Sequence, residues 1–295
     1  MNTPAKLGVF AAALAAVFGA AVGIGAAVGP IDVGDSGNHG SMSDNTEAPG
    51  SATAVPRGLS VEASGFRLVL GASRIDDGVA AIFTFQIVDA DGVATTDFDL
   101  LHERPLHLIV LNRDLVEYHH LHPTLAQDGT WSVDLDALPA GSYRVFADVE
   151  PAGSDNITLG ADLLVGGSAN ATELPPPSEV FEDDGLTVTL DGHPQVGDSV
   201  LSFSVARGGE TISTEPYLGA LGHLVAIRAA DLAFLHVHPR GGSQGPISFT
   251  GEFPTAGVYR LFFDFSVDGV VRTASFTIDA GGTAGMDDGG ADHGH

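Results

Sequence analysis

The apolar positions divide the chain into one unbroken run followed by many short alternating ones. The 22-residue run Leu7–Val28 carries no charge and no strongly polar residue. As a helix it would span roughly 33 Å, enough to cross a bilayer's hydrocarbon core. Lys6 stands before it as the sole cation, so residues 1–30 are expected to form a single-pass transmembrane helix with the rest of the chain outside the cytoplasm. Cleavage after Ala27, as in a secretory signal, is the alternative; it exports the chain equally.

Residues 31–57 are rich in Gly, Ser, Asp and Thr and lack periodicity, which predicts a flexible linker. Period-two segments then begin, as in Phe66–Leu70 and Ala81–Val88. Further strands are expected at 107–112, 117–122, 130–135, 141–149 and 159–165. Short strands at this spacing, with turn residues between them, predict an antiparallel sandwich. A Pro-rich break at Leu174–Pro177 interrupts the pattern, which restarts at Gly185.

Internal repetition fixes the organisation. His107-Leu108 through His120-Leu121-His122-Pro123 overlies His223-Leu224 through His236-Val237-His238-Pro239 at a constant offset of 116. The same offset carries Ala140-Gly141-Ser142-Tyr143-Arg144-Val145-Phe146 onto Ala256-Gly257-Val258-Tyr259-Arg260-Leu261-Phe262, and Asp148 onto Asp264. The expected fold is all-β: two tandem immunoglobulin-like or cupredoxin-like antiparallel sandwiches after the N-terminal helix. Their bounds are 58–168 and 178–279, joined by a Pro-rich linker at 169–177 and followed by an acidic, disordered, His-containing tail at 280–295. The repeated tyrosine reads as structural, its hydroxyl tied to backbone at a sandwich corner.

Composition narrows the functions available to such a chain. Twelve Lys+Arg against 38 Asp+Glu leave a formal charge of −26, which would repel a phosphate backbone and excludes nucleic acid as a partner. The absence of cysteine removes disulfides, thiolate metal sites and cysteine nucleophiles. No phosphate-binding loop, nucleophile elbow or His-Glu-x-x-His helix is present, so an enzyme is not expected. Asp89-Ala90-Asp91-Gly92 lacks the remaining ligands of a calcium loop and reads as a hairpin turn.

The histidines carry the chemistry. Six of the twelve occupy repeat-equivalent positions: His107, His120 and His122, then His223, His236 and His238. A two-residue turn at Arg113-Asp114 would set His107 opposite His120, and one at Ala229-Ala230 would set His223 opposite His236. His122 and His238 would share those faces. Three imidazoles would then converge in each repeat, leaving a fourth coordination position open. Imidazoles without thiolates suit copper first and zinc second. The competing interpretation makes these rings structural, each donating to a carbonyl or carboxylate at the sandwich rim. His102 and His119 have leucines (Leu218, Leu235) at the matching positions of the second copy and read as peripheral, either one a source of an extra ligand.

Taken together, His-Leu, Asp-Leu, His-x-His-Pro and Ala-Gly-x-Tyr-Arg-x-Phe-x-Asp in both copies resemble a family of uncharacterised membrane-anchored bacterial envelope proteins. These have tandem His-rich β-sandwich domains and are sometimes labelled heavy-metal-binding. The resemblance covers about residues 1–280 and implies an extracytoplasmic sandwich protein. Lack of cysteine departs from the blue-copper pattern. The expected role is capture, buffering or delivery of copper or zinc. The alternative is a non-metal interaction module of the cell envelope with a protein partner.

Overall fold

The structure is a computed structural model and describes residues 56–235, 237–241 and 247–281. None of the described residues is helical, and among them no helix is long and apolar enough to cross a membrane. The anchor expected at 1–30, most of the linker at 31–57, His236 and the tail from 282 lie outside the described residues.

The first repeat contains β1 (Glu62–Ala63), β2 (Phe66–Leu70), β3 (Arg74–Ile75), β4 (Ala81–Val88), β5 (Phe98–Asp99), β6 (Leu106–Asn112), β7 (Tyr118–Leu121), β8 (Thr124–Leu125), β9 (Thr130–Leu135), β10 (Gly141–Pro151) and β11 (Ile157–Val165). The second contains β12 (Val180–Asp183), β13 (Leu186–Asp191), β14 (Gly197–Arg207), β15 (Glu210–Ile212), β16 (His223–Arg228), β17 (Phe234–Leu235), β18 (Val237–Arg240), β19 (Ile247–Phe253), β20 (Gly257–Val267) and β21 (Val270–Ala280).

Each repeat is a sandwich of two sheets. In the first, β1-β2-β4-β9-β8 faces β3-β11-β10-β6-β7; in the second, β12-β13-β14-β19-β18 faces β17-β16-β20-β21. Pairing is antiparallel except for the short parallel pair β3–β11. The order β2-β4-β9-β8 against a sheet whose centre is β6-β10-β11 is the arrangement of an immunoglobulin-like sandwich. The corner tyrosines agree: Tyr143 donates to the Pro139 carbonyl at 2.9 Å and Tyr259 to the Thr255 carbonyl at 2.7 Å.

Alternation decides what each strand buries. Along β6 and β10, Leu106, Leu108, Val110, Tyr143, Val145, Ala147 and Val149 point into the first sandwich's core, around Trp131 and Phe85. The opposite face is not solvated. Its Ile109, Leu111 and Phe146 join Val225, Ile227 and Phe262 of the second repeat in one shared apolar cluster. The contacts are reciprocal: Tyr118 stacks on Phe262 at 4.0 Å, and its counterpart Phe234 meets Phe146, the counterpart of Phe262, at 5.6 Å. Such i-to-j, j-to-i pairing marks a self-complementary two-fold interface, here within one chain.

Both hairpins beside this interface turn over four residues rather than the two expected. Asn112 N–H donates to the Glu117 carbonyl, and the Asn112 side-chain oxygen accepts from Val116 and Glu117, closing the loop 113–116. In the second repeat the loop spans 229–232, with Arg228 N–H donating to the Ala233 carbonyl. Leu115 and Leu232 adopt left-handed backbone (φ 62° and 65°). That is a costly conformation for leucine, and burial of both side chains in the shared cluster offsets it. Gly58 closes the seam: its φ is +72°, and a Cβ there would lie 2.6 Å from the Phe146 ring.

Candidate metal centre

Lengthening the first turn by two residues shifts the hairpin register but keeps every side chain on its expected face, because the period is two. His120 therefore lies opposite Ile109 rather than His107, and His107 is brought level with His122. All three still share a face, which is the outer face directed at the second repeat.

His107, His120 and His122 converge there, each offering one ring nitrogen within 4.8 Å of the others. His107 Nδ1 lies 3.0 Å from His120 Nε2 and 3.2 Å from His122 Nε2. The ring centroids stand 5.0–5.2 Å apart in all three pairs. With metal–nitrogen bonds of about 2.0–2.1 Å and tetrahedral angles, two ligating nitrogens lie about 3.4 Å apart. The triad would thus accept an ion by opening a few tenths of an ångström.

Hydrogen bonding at the far side of two rings fixes their tautomers. His107 Nε2 donates to the Leu101 carbonyl at 2.8 Å, leaving Nδ1 as a lone pair. His120 Nδ1 donates to Asp264 Oδ2 at 2.7 Å, leaving Nε2 as a lone pair. Those two lone pairs face each other at 3.0 Å. A proton from His122 Nε2 can satisfy His107 Nδ1, but the His120 lone pair still has no donor in that pair. A Lewis acid between the three nitrogens satisfies all of them at once.

At His107 and His122, protonation is a poor alternative to a cation. Burial, reinforced by the neighbouring His120, lowers His107 to about 3, and burial with His120 lowers His122 to about 4. Both rings are therefore neutral near pH 7, the state in which imidazole ligates metal.

The second repeat supplies the outer partners. Asp264, almost fully buried, also accepts from Tyr118 Oη at 3.1 Å and Thr273 Oγ1 at 2.5 Å. A carboxylate on the non-ligating nitrogen of a ligand histidine orients the ring and raises its basicity. Tyr217 edges against both His122 and His223.

His223 does not gather a matching triad among the described residues. It is buried, its Nε2 donates to the Tyr217 carbonyl at 2.9 Å, and its ring stands 6.2 Å from that of His107. Burial lowers it to about 4. His238 lies on β18, which has crossed to the other sheet and pairs with β19, opposite Thr250. The crossover comes earlier than in the first repeat, where β7 stays beside β6 as far as Leu121. His119 points away from the triad, with its Nε2 buried, whereas His102 reaches the interface and contacts the His223 ring at 5.1 Å.

Sequence reasoning aligned Asp264 with Asp148 but assigned it no role. Its signal was phase: Asp264 is even-numbered on β20, whose odd residues Tyr259, Leu261 and Phe263 fill the core, so it belongs to the interface face. That its partner would come from the other repeat could not be read from spacing.

The fold and the cluster together define a tandem immunoglobulin-like protein with a partly buried histidine cluster between its repeats. The chain belongs to the family described as Domain of unknown function (DUF8832), whose profile matches residues 61–160 and 179–282. No curated protein matches it. Among solved structures it is similar to FdeC, an Escherichia coli adhesin, at 16% identity over 76% of this chain and 66% of that one, with a TM-score of 0.24. It is also similar to invasin, a bacterial integrin-binding protein, at 16% identity over 75% and 41% (TM-score 0.21), and to a titin Z1Z2 tandem at 12% over 72% and 95% (TM-score 0.19). The chain thus spans just under two thirds of the adhesin and less than half of the invasin structure.

Proposed function

We propose that the protein binds a transition-metal ion, copper or zinc, at His107, His120 and His122, and serves in capture, buffering or delivery of that ion outside the cytoplasm. The observation that carries this reading is the convergence of three imidazole nitrogens, with the far side of two rings tied to Leu101 and Asp264. Three nitrogens with no thiolate favour Cu(II) and Zn(II), and leave a position open for handing the ion on. The −26 charge would raise the local cation concentration at low ionic strength. Export through the N-terminal apolar run belongs to the same proposal. So does the placement of the principal site in the first repeat, with its orienting carboxylate in the second.

A second reading, a non-metal envelope interaction module, is favoured by the tandem immunoglobulin-like architecture and by exposed apolar side chains such as Ile82 (71% exposed) and Leu100 (67%). Such scaffolds present loops and faces to protein partners. Competition titration against a chelator separates the two. Binding that disappears in a folded His120→Ala/His122→Ala variant supports the metal reading. Equal, weak binding by parent and variant hands the function to the interaction module.

A further inference from the structure

Two tripeptides, Asn156-Ile157-Thr158 and Asn170-Ala171-Thr172, share the pattern Asn-x-Thr with x other than proline. That is the acceptor pattern for an N-linked glycan on an exported chain. The fold places the two copies of the pattern in opposite surroundings. From that contrast we infer that Asn170 is a glycan attachment site and that Asn156 is not. The inference rests on the export included in the proposed function and is independent of the metal.

Asn156 is committed to the fold. It stands just before β11, where its Nδ2 donates to Asp148 Oδ1 at 3.2 Å and to the Val149 carbonyl at 3.1 Å, while its Oδ1 accepts from Arg57. The hydroxyl of Thr158, a residue only 4% exposed, donates to the same Asp148 oxygen at 2.7 Å. A side-chain amide has two N–H donors, and both are engaged here. A sugar on Asn156 Nδ2 replaces one of those hydrogens and puts a bulky group where Asp148 and Val149 stand. The folded chain cannot carry it.

Asn170 is free of such ties. It lies beyond the end of β11 at Val165, in the strand-free stretch before β12. Residues 169–172 are all exposed, and neither the Asn170 amide nor the Thr172 hydroxyl has a hydrogen-bond partner among the described residues. The segment is held through its backbone instead, by the Thr172 N–H donating to Asp114 Oδ2 at 2.8 Å. Both side chains that a glycan-transferring enzyme must engage are therefore left to solvent. Asn170 lines an open groove with Asn112, which closes β6 at the end opposite His107. Five strand residues separate those two, about 17 Å, so a glycan at Asn170 leaves the triad clear.

The sugar donor is a lipid-linked oligosaccharide phosphate or pyrophosphate on the outer side of the membrane. The Asn170 amide nitrogen attacks the anomeric carbon of the sugar and forms the N–C bond. The bond from that carbon to the phosphate oxygen breaks, and the lipid phosphate leaves with its electron pair. The displaced amide proton passes to a base of the transferase. Nothing is oxidised or reduced.

The test is peptide mapping by mass spectrometry of the full-length protein purified from its own cells, beside Asn170→Gln and Thr172→Ala made in the same cells. The expected result is an oligosaccharide mass on the parent peptide containing Asn170 and an unmodified peptide containing Asn156. Both variants should lose that mass, Thr172→Ala although it keeps the asparagine, and both should bind metal as the parent does. A glycan at Asn156, or one retained in Thr172→Ala, would overturn the assignment. So would an Asn170 peptide at its unmodified mass, and cell fractionation then separates two cases. In protein found outside the cytoplasm, only this inference fails; in protein found inside, the proposed export fails with it.

Discussion

At the scale of single residues, the centre depends on which nitrogen of each ring carries the proton. Asp264 selects the tautomer of His120 from the other repeat, so it acts as a positioning residue without being a ligand. Asp264→Asn is expected to weaken metal binding about 10- to 100-fold, the usual cost of losing an outer-shell partner, while leaving the number of sites unchanged. Chelator competition on parent and variant checks this; an unchanged affinity would remove Asp264 from the site. The three histidines were legible because their phase survives a register shift of two. Asp264 was not, because its contact crosses 144 residues of sequence.

The same burial sets the pH dependence. His107, His122 and His223 have folded values of about 3, 4 and 4, below the ordinary 6.5. Between those values and about 6.5 the unfolded chain binds more protons than the folded one, so stability contributed by these rings is present above pH 6.5 and falls as pH drops toward 4. Urea midpoints of metal-free protein should therefore decrease from pH 7 to pH 4.5. Metal affinity should decrease over the same interval, because protons compete for the ligand nitrogens. A midpoint that rises on acidification would contradict the neutral, buried state assigned to the cluster.

At the scale of elements, alternation along β6, β10, β16 and β20 encodes two buried faces rather than one. The inner phase was readable as a sandwich core. The outer phase, with Ile109, Leu111, Phe146 and their counterparts, is equally apolar, which is the signature of a strand covered on both sides. Turn length was the element that misled: Asn112 and Asp231 accept backbone N–H groups and close four-residue loops, a local chemistry that overrides the two-residue turns expected at Arg113-Asp114 and Ala229-Ala230. The corner tyrosines, by contrast, were legible from Ala-Gly-x-Tyr. Tyr143→Phe removes the bond to the Pro139 carbonyl and should cost about 1 kcal/mol, read as a lower urea midpoint with metal binding unchanged.

At the scale of the whole molecule, the two repeats form one unit through reciprocal aromatic contacts, with Gly58 closing one end of the seam and Arg260 donating to the Leu115 carbonyl across it. Phe146 is fully buried at this seam. Phe146→Ala should destabilise the protein by about 3–5 kcal/mol and lower metal affinity as well, because the triad and its orienting aspartate sit on opposite sides of the same interface. Calorimetry with and without metal checks this. A loss of stability with no effect on binding would show that the centre does not need the repeats docked. Duplication was plain in the sequence, but docking was not. Nothing in an offset of 116 residues announces that the outer face of one copy will meet the other, and that meeting brings Asp264 of the second repeat against His120 of the first.

The most direct measurement of this account is a competition titration of the full-length protein with Cu(II) and Zn(II), run beside a folded His120→Ala/His122→Ala variant. The account predicts at least one ion bound by the parent at an affinity the variant does not reach. Identical titration curves for the two proteins would contradict it, leaving His107, His120 and His122 as a hydrogen-bonded structural cluster at the junction of two interaction domains.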